Sequence, residues 1–552
     1  MWDRPPSDRR LLGAVSRRGF LRASLLVGGT AAVSRAAVHG GSVGDATLDV
    51  REFGAVGDGR TKDTAALQYA IDTIHRRGGG IVHLPAGTWV SGTLHLRSAL
   101  TIDLAPGAVL LASPDREDFA PHEKLPFQSD SNVDTMDFAR ALLAGCDLER
   151  IAIRGAGVID MNRDRRYGPK PIALKRCRFV TVQGVRIVRA PSYCVSLGGC
   201  EDVLVEGVTI RSAFADGIDP DCCRRVRIAN CDIESDDDAL CLKASFLLGA
   251  RGATEDVVVT NCRLRSPSNC FKLGTESTGD FRQIVLSNCV FDGTAAADRD
   301  ASAAAEGGGI ALLTVDGGTI DGVTISNVVM RDVVAPLFVR LGNRGRDQRR
   351  AVPGRLRNVV ISGVMAVGAS VTGSITGLPG HPVEDVTVEN VHITAAGGWR
   401  RHGDLKVPER PAAYPQVMMY GILPAHGLYV RHARDVSLRN VQLVAEQPDV
   451  RPALVADDVS ELHVVRVTGP RAEGEAPALW LNDVRGGLVD CGIAPDGAGT
   501  FLRVSGASTE RVTLAGHATW SPEGIDRAHE VDPTAVMYAT RLGLAAQDSG
   551  TD

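Results

Sequence analysis

A ten-residue phrase recurs along the chain, and its repetition restricts the possible folds more than any other feature of the sequence. The phrase has a polar residue, then Val or Ile alternating with polar residues, then Asn or Gly, then a further apolar position. Alternation of period two predicts a short strand, and Asn or Gly predicts a bend into the next strand. Copies begin 23, 23, 31 and 27 residues apart at Arg178, Glu201, Arg224, Glu255 and Arg282, and later ones begin at Ile320, Arg357, Glu384 and Arg434.

Strands this short cannot bury an apolar face alone, whereas stacked copies bury one continuous core. The repeat therefore predicts an all-β fold, a right-handed parallel β-helix (a solenoid). Asn at the bend tolerates left-handed dihedral angles and can hydrogen-bond to the Asn one coil away. Leucine-rich repeats would show a regular L-x-x-L-x-L frame, and propeller blades have longer periods, so both alternatives fit less well.

The segment before the first strands predicts a short N-terminal capping helix. We expect this helix to begin at Thr61, as its N-cap, and to end at Arg77. A helix here would cover the open end of the solenoid core, as terminal repeats must. Its apolar stripe consists of Ala65, Leu67, Ala70, Ile71 and Ile74.

The first residues carry a predicted export signal. Ser16 to Arg22 reads S-R-R-G-F-L-R, which resembles the twin-arginine signal, and the apolar stretch that follows is too short to span a bilayer. The alternative is a chance arginine pair in a disordered tail. We interpret residues 1–40 as a twin-arginine-type signal peptide, residues 41–515 as the parallel β-helix domain, and residues 516–552 as a C-terminal cap or tail. Export through the twin-arginine route predicts a periplasmic or extracellular protein.

Charge and cysteine usage narrow the range of partners. A formal net charge of -5 disfavours nucleic acid and anionic membrane surfaces, so we expect no nucleic acid and no membrane partner after signal removal. Cys231, Cys262 and Cys289 each follow an asparagine within the repeat phrase, which indicates buried thiols on successive coils. The sequence has no C-x-x-C pair or histidine cluster typical of zinc, and we predict no cofactor, no metal and a monomer.

Seven aspartates lie between Asp216 and Asp238. Six of them are in two phrases, ADGIDPD and SDDDALCLKAS, and the seventh lies in the stretch that joins these phrases. The two phrases are about one coil apart, so their carboxylates should lie one above another on one face. Stacked like charges are costly unless something uses them. Hydrolysis of a glycosidic bond uses a carboxylic acid and a carboxylate across one substrate. A calcium site or a solvated acidic turn is the alternative, and it suits Asp219, Asp221 and Asp236.

Four segments in a fixed order resemble one family. They are FGAVGDGRTKDTAALQYAID, GGGIVHLPAGTWVSGTLHLRS, DGIDPD and DDDALCLK, and with their gaps they resemble glycoside hydrolase family 28, the polygalacturonase and rhamnogalacturonan hydrolase family, over about Leu48 to Val444. The resemblance implies a right-handed parallel β-helix and inverting cleavage of α-linked pectic chains. It also implies that Asp237 is the general acid, and that Asp216 and Asp238 hold and deprotonate the attacking water.

The chain departs from the family pattern at three positions. Asn269 stands where polygalacturonases carry the histidine of Gly-His-Gly, and it can hydrogen-bond a sugar or orient a carboxylate but cannot take a proton. Ala311 and Leu313 stand where polygalacturonases carry the two cations that bind the galacturonate carboxylate. These losses make galacturonate a less suitable sugar for the central subsite, because a half-buried carboxylate needs a charged partner.

Other side chains are candidate substrate ligands. Lys272 and Arg340, with Arg344 nearby, are cations that can compensate, and Glu276 is an additional acid near the site. The alternative is an outward-facing strand lysine for Lys272, a solvated turn for Arg340 and Arg344, and a surface charge for Glu276. Tyr420 and Tyr429 are candidates for stacking on a sugar ring, although packing on the flank of the solenoid is favoured.

These observations predict an exported, metal-independent, inverting glycosidase of plant cell-wall polysaccharide, with rhamnogalacturonan or another branched or neutral chain preferred over plain polygalacturonan. One alternative is a polysaccharide lyase on the same architecture, which would need a basic residue and usually calcium. The other is a non-catalytic carbohydrate-binding relative, supported by Asn269, Ala311 and Leu313.

Overall fold

The computed structural model describes residues 46–294, 307–401, 405–469, 476–490 and 501–515, and the backbone of two further strands, His529–Val531 and Met537–Tyr538. The predicted signal peptide lies outside the described residues. The described residues all belong to one compact unit.

The described chain is a parallel β-helix whose coils pass in turn through three parallel sheets, and in the later coils one strand continues from one sheet into the next. A typical coil runs from Glu201–Glu206 in sheet 1, through Thr209–Ala213 in sheet 2, to Ile218–Asp221 in sheet 3. Each strand pairs in parallel with the strand one coil later, so Glu201–Glu206 pairs with Arg224–Ala229. The all-β solenoid predicted from the repeat is confirmed.

The strands fall into five groups by the sheets they enter. Strands confined to sheet 1 are Thr47–Asp49, Gly80–Leu84, Leu100–Leu104, Glu149–Gly155, Arg178–Gln183, Glu201–Glu206, Arg224–Ala229, Ala253–Thr260, Glu510–Ala515 and Met537–Tyr538. Those confined to sheet 2 are Asp58–Lys62, Gly87–Ser91, Ala108–Ala112, Val158–Asp160, Arg186–Val188, Thr209–Ala213, Asp232–Ser235 and Arg263–Arg265. Those confined to sheet 3 are Leu94–His95, Ala141–Cys146, Lys170–Lys175, Val195–Gly198, Ile218–Asp221, Leu240–Ala244, Phe271–Ser277, Gly308–Thr314, Ala335–Leu341, Gly373–Thr376, Leu502–Ser505 and His529–Val531. Strands running from sheet 1 into sheet 2 are Asp280–Asp292, Thr319–Arg331, Arg355–Ala369 and Val383–Gly397. Strands entering sheet 1 from sheet 3 are Leu428–Gln447, Leu454–Thr468 and Leu479–Asp490.

The repeat phrase is the bend from sheet 1 to sheet 2, and asparagine makes the bend. Asn261 and Asn288 have φ of 56° and 57°, in the left-handed region that asparagine tolerates. Asn327 donates its side-chain amide to Asn288 at 3.2 Å, and Asn440 donates to Asn390 at 2.8 Å. The side-chain ladder expected between successive coils is therefore present.

Valine and isoleucine on successive coils stack to form the core. Val226 pairs with Val257, which pairs with Ile284, and all three are buried. Cys231, Cys262 and Cys289 stack in the same way and are buried free thiols. The core is thus a column of aligned apolar side chains along the solenoid axis.

The N-terminal helix covers the open end of this column, but it begins later than predicted. It spans Thr64–Arg76 with Asp63 as N-cap, and Leu67, Ile71 and Ile74 are buried. Residues Asp58–Lys62 pair with Gly87–Ser91, so the chain stays extended past Thr61. Shorter helices are Val50–Phe53, Arg116–Asp118, Val133–Met136 and Val417–Tyr420. Within the described residues, no helix has both the length and the apolar character needed to cross a membrane.

Two segments cover the outer face of sheet 3 on either side of its middle strands. The strap, residues 119–140, packs Met136 and Phe138 against earlier strands, and Phe127 contacts Phe246 at 5.7 Å between ring centroids. The cover, residues 405–425, packs on the later strands, where Tyr420 and Tyr429 are buried. The packing interpretation of the two tyrosines is confirmed. The middle strands Ile218–Asp221, Leu240–Ala244 and Phe271–Ser277 carry charged side chains on this face instead.

The first prediction concerns the core column. Val258 and Val259 are neighbours on the strand Ala253–Thr260, but Val259 is fully buried and Val258 is 46% exposed. Val259→Ala removes two buried methyl groups and leaves a cavity, so we expect a loss of about 2 kcal/mol in unfolding free energy. Urea denaturation measures it, with Val258→Ala as the matched control. Equal losses at both positions would contradict the assignment of Val259 to the core and of Val258 to the surface.

His426, which follows the cover, is 2% exposed, and neither of its ring nitrogens has a hydrogen-bond partner among the described residues. Burial lowers the pKa of His426 to about 4, against a weaker opposing effect of Asp449. The folded protein therefore keeps the ring neutral while the unfolded chain protonates it below its usual pKa near 6.5.

The second prediction follows from the lowered pKa of His426 in the folded protein. Below pH 6.5 the unfolded state binds the proton first, so stability falls as pH decreases towards 4. We expect roughly 2 kcal/mol of this loss between pH 7.5 and pH 5, absent in His426→Phe, as measured by denaturant titration at both pH values. His463→Phe, at an exposed histidine, is the control and keeps the wild-type loss. An unchanged loss in His426→Phe would refute the assignment.

Candidate active site

The four polar residues predicted for the site centre lie in the turns that lead from sheet 2 into sheet 3. Asp216 directly precedes the strand Ile218–Asp221, Asp237 and Asp238 precede Leu240–Ala244, and Asn269 precedes Phe271–Ser277. One coil separates each turn from the next, so stacking brings these positions together. Carboxylate oxygens of Asp216 and Asp238 lie within 4.8 Å of each other.

Lys243 neutralises part of this charge from the strand Leu240–Ala244. Its Nζ donates to Asp216 Oδ2 at 2.6 Å and also to Asp219, and all three side chains are buried. Burial raises the pKa of Asp216 well above its usual range, and repulsion from Asp219 adds to this. Burial also raises the pKa of Asp219, despite Lys243. Since one ammonium serves two buried carboxyls, this pair retains a proton more readily than an exposed aspartate.

Asp238 has the opposite environment. Lys272 Nζ donates to its Oδ2 at 2.8 Å, Asn269 Nδ2 donates to its Oδ1 at 2.7 Å, and Ser268 Oγ donates at 3.3 Å. Burial opposes the charged form, but Lys272 and Asn269 outweigh it and lower the pKa of Asp238. Asp238 is therefore an ionised carboxylate, which is the state that a general base needs.

Asn269 is held in one orientation by a second hydrogen bond. The Gly308 N–H donates to Asn269 Oδ1 at 2.7 Å, so the amide nitrogen must point at Asp238. The sequence allowed Asn269 either to hydrogen-bond a sugar or to orient a carboxylate, and these contacts correspond to the second role. Lys272 is likewise buried against Asp238 and does not face outward as a solvated strand lysine would.

Asp237 differs from its neighbours because it faces solvent. Its side chain is 29% exposed, and Arg166 Nη1 donates to its Oδ2 at 2.6 Å. The Asp238 N–H donates to Oδ1 at 3.1 Å. Arg166 belongs to the turn between Val158–Asp160 and Lys170–Lys175, and sequence reasoning missed it because no repeat phrase marks this turn. The aspartates predicted as catalytic thus comprise two buried groups and one accessible group, and their roles stay predictions.

Glu276 lies at the edge of the same cluster. Arg346 Nη1 donates to its Oε1 at 3.3 Å, and Arg344 is 3.9 Å away. Burial opposes its ionisation, but Lys243, Arg344 and Lys272 together lower the pKa of Glu276. Glu276 is therefore buried and charged, which differs from the surface charge considered as its alternative.

Arg340 is directed away from the acidic cluster, into the cover. Its Nη1 donates to the Gly377 carbonyl at 3.1 Å and its Nη2 to the Glu409 carbonyl at 2.8 Å, with its guanidinium over the Tyr420 ring. Arg340 pairs in register with Leu313, one coil earlier, which is buried beneath the cover with Ala311. These contacts anchor the cover, and no described contact supports the predicted role of Arg340 in substrate binding.

Ala311 and Leu313, which stand where polygalacturonases carry two cations, are both buried. Both side chains pack in the apolar cluster formed with the cover. Their apolar character therefore serves packing, and it is no evidence for a neutral sugar in the site.

One group of the described residues has donor atoms close enough to hold a metal ion: Asp216, Asp238 and Cys241. Lys243 and Lys272 already donate to the two carboxylates, and the Cys241 thiol donates to the Gly274 carbonyl at 3.0 Å. A cation would have to displace two buried ammonium groups, so the donor set fits lysine better than a metal.

Comparisons with known proteins agree with this architecture. The family model "Glycosyl hydrolases family 28" matches residues 153–407, and "Rhamnogalacturonase A/epimerase, pectate lyase-like" matches residues 47–103. A "Probable polygalacturonase" of Vitis vinifera is 26% identical over 373 residues, which cover 62% of this chain and 74% of that protein.

Two further matches are informative. An "Exo-poly-alpha-D-galacturonosidase" of Dickeya chrysanthemi is 34% identical over 119 residues, which cover 21% of this chain and 19% of that protein. The crystal structure of an exopolygalacturonase from Thermotoga maritima superposes with a TM-score of 0.56 and 20% identity, covering 72% of this chain and 91% of that chain. The structural match supports the parallel β-helix fold.

The third prediction tests the buried pair of Asp238 and Lys272. Lys272→Met leaves a buried carboxylate without its ammonium partner, so we expect a loss of about 3–5 kcal/mol in unfolding free energy. The double variant Asp238→Asn/Lys272→Met removes both charges and recovers most of the loss in guanidinium denaturation. Arg178→Met, which breaks an exposed ion pair with Glu149, is the control and changes little. A double variant no more stable than Lys272→Met would show that the charges are not coupled.

Proposed function

We propose that this chain, a glycosidase whose residues 153–407 match the model of glycosyl hydrolases family 28, hydrolyses a uronic-acid-containing pectic polysaccharide with inversion at the anomeric carbon. The observation that carries the proposal is the contrast between Asp237 and Asp238. Asp237 is accessible to a polymer, whereas Asp238 is buried and ionised beside Asp216. An inverting glycosidase needs these two kinds of carboxyl group, an acid at the leaving oxygen and a base at a water.

The water is activated between Asp216 and Asp238. Two acceptor oxygens within 4.8 Å of each other can both hydrogen-bond to one water, because each O–H···O contact spans about 2.8 Å. Asp238 takes the proton, since Lys272 and Asn269 keep it ionised in the free enzyme. Asp216 orients the same water. Asp237 gives a proton to the glycosidic oxygen as that bond breaks and the water oxygen bonds to the anomeric carbon.

The two lysines make this arrangement of carboxyl groups stable. Lys243 lies between Asp216 and Asp219, and Lys272 contacts Asp238. Without them, three carboxylates on two successive coils would repel each other and take up protons. Lys272 therefore acts as a fixed counter-ion that holds the base, Asp238, in its charged state, and Lys243 offsets part of the charge of Asp216 and Asp219.

We propose that the enzyme acts at chain ends. The strap and the loop after Ala335–Leu341 meet at Asp130 and Asp347, where the Asp130 N–H donates to Asp347 Oδ1 at 2.7 Å and the Asp347 N–H donates to Asp130 Oδ2 at 3.0 Å. This contact joins residues 217 positions apart across the face that carries the site. The cover blocks the later strands of the same face. A site bounded on these sides favours a terminal sugar over the middle of a long chain, in keeping with the name of the Dickeya relative.

Export and assembly complete the proposal. The segment Ser16 to Arg22 supports export through the twin-arginine route to the periplasm or beyond. We expect a monomer that binds polysaccharide and needs no cofactor, since the acids, the base and their counter-ions all come from one chain.

The fourth prediction tests the chemistry. We expect the wild type to release reducing sugar from at least one member of a panel of pectic and hemicellulosic polysaccharides, with inverted anomeric configuration by proton NMR at early time points. Asp237→Asn lowers kcat by about 10²- to 10⁴-fold and keeps binding, because the amide cannot donate the proton. Asp202→Asn, at a partly exposed aspartate of sheet 1 that pairs with Arg225, is the control and keeps full activity.

Other outcomes separate the alternatives. An unsaturated product that absorbs in the ultraviolet and disappears with chelator would identify a lyase. Polysaccharide binding with no product from the wild type would identify a non-catalytic binding protein. Release of long fragments before monomers or dimers would contradict action at chain ends.

A further inference from the structure

Arg166 is a cation that the catalytic scheme above does not use, although it touches the proposed acid. Its Nη1 donates to Asp237 Oδ2 at 2.6 Å. Its Nε is buried and has no hydrogen-bond acceptor among the described residues. The side chain is 35% exposed, and the neighbouring Tyr167 is 78% exposed with its ring 5.9 Å from the guanidinium carbon. Arg166 is thus partly accessible and has an unused donor.

This contact conflicts with the function of Asp237 as an acid. A guanidinium at hydrogen-bond distance stabilises the carboxylate form of its partner, whereas an acid must carry a proton. The other charged groups that face Asp237 are Asp216, Asp238 and Lys272. Lys272 is already bound to Asp238. Among the described residues, Arg166 is therefore the cation that donates directly to Asp237.

The other cations near the site are less suited to meet a substrate. Lys243 and Lys272 are buried and paired with catalytic carboxylates. Arg344 is buried against Asp316, with 2.9 Å between Nε and Oδ1. Arg346 is partly exposed but pairs with Glu276. Arg166 alone among these five contacts the accessible acid, where the scissile bond must lie.

We propose that Arg166 determines specificity by binding the carboxylate of a uronic acid unit at the cleavage site, and that its transfer from Asp237 to the sugar lets Asp237 take up the proton it donates. This inference rests on the proposed function and names the residue that recognises the uronic acid at that site. A guanidinium binds a carboxylate in a planar, two-pronged geometry, and the terminal nitrogens of the partly exposed Arg166 side chain supply such donors beside Asp237.

The proton balance of the step is simple. On binding, the ion pair between Arg166 and Asp237 is replaced by one between Arg166 and the substrate carboxylate, and Asp237 takes one proton from solvent. That proton then goes to the glycosidic oxygen, and the attacking water gives one proton to Asp238. A sugar whose carboxyl is esterified cannot remove Arg166, so Asp237 stays ionised and turnover is slow even where the sugar fits.

The experiment compares an oligogalacturonide with its methyl ester of equal length, using wild type, Arg166→Gln, Arg166→Lys and Arg165→Gln. Arg165 is the exposed neighbour and serves as the matched charge control. We expect wild type to prefer the free acid, and Arg166→Gln to lose on the order of 10- to 100-fold of this preference in kcat/KM, since a charge-assisted hydrogen bond is removed. Arg166→Lys keeps part of the preference, and Arg165→Gln keeps all of it.

A second readout separates this role from a structural one. Removing the guanidinium favours protonated Asp237 in the free enzyme, so the alkaline limb of the kcat/KM profile of Arg166→Gln should move up by roughly one pH unit or more. Equal loss on both substrates with an unchanged profile would overturn the inference, and thermal unfolding checks that Arg166→Gln is folded.

Failure of the proposed function would look different. If wild type cleaves neither oligomer, calorimetric titration of oligogalacturonide into Asp237→Asn and Asp237→Asn/Arg166→Gln tests carboxylate recognition by itself. Weaker binding in the double variant supports recognition by Arg166 without turnover, and equal binding excludes it.

Discussion

The structure of the site depends on the pairing of buried carboxylates with two buried lysines. Asp216, Asp219 and Asp238 would repel each other strongly if all were ionised without partners. Lys243 lies on the strand Leu240–Ala244 and Lys272 on Phe271–Ser277. Each lysine contacts these acids directly. Lys272 pairs in register with Cys241 and with Ala311, and Lys243 pairs with Asp221, so each lysine is placed by strand pairing and not by a mobile loop. The rigid β-helix therefore supplies counter-ions at fixed places, which is what preorganised acid and base groups require.

The lysines also divide the carboxyl groups by protonation. Asp238 has Lys272, Asn269 and Ser268 to stabilise its charge, whereas Asp216 shares one ammonium with Asp219. Asp237 lies outside both arrangements and responds to Arg166 and to whatever enters from solvent. Environments that push the pKa values of neighbouring carboxyl groups apart in this way are typical of glycosidase sites.

Much of the fold was predictable because its cause is local. The repeat phrase encodes strand, bend and strand within ten residues, and the left-handed asparagines at 261, 288 and 327 follow from that phrase. The acidic phrases could be placed on neighbouring coils by their spacing alone. The start of the capping helix was predicted wrongly at Thr61, because pairing with Gly87–Ser91, a contact outside the segment, keeps the chain extended to Lys62.

The candidate site was predictable only in part. The phrase that identified Asp237 and Asp238 also contains Lys243, and parallel register with Asp221 would have placed this lysine among the acids. Arg166 had no such signal, since it lies in a turn between sheets 2 and 3 whose length and sequence do not repeat. The contacts of Arg340 could not be predicted, because the cover, a segment about 70 residues later, provides its partners at Glu409 and Arg410.

By itself, the sequence determined the coil, its asparagine bends and the stacking of Asp216 under Asp237 and Asp238. Periodic alternation is a property of neighbouring residues, and it specifies the direction of each strand side chain without knowledge of distant contacts. Only the tertiary structure decided which cations meet these acids, and which face of sheet 3 stays open between the strap and the cover. Those contacts join residues from 24 to more than 200 positions apart, and they form only when the stacked coils bring irregular turns side by side.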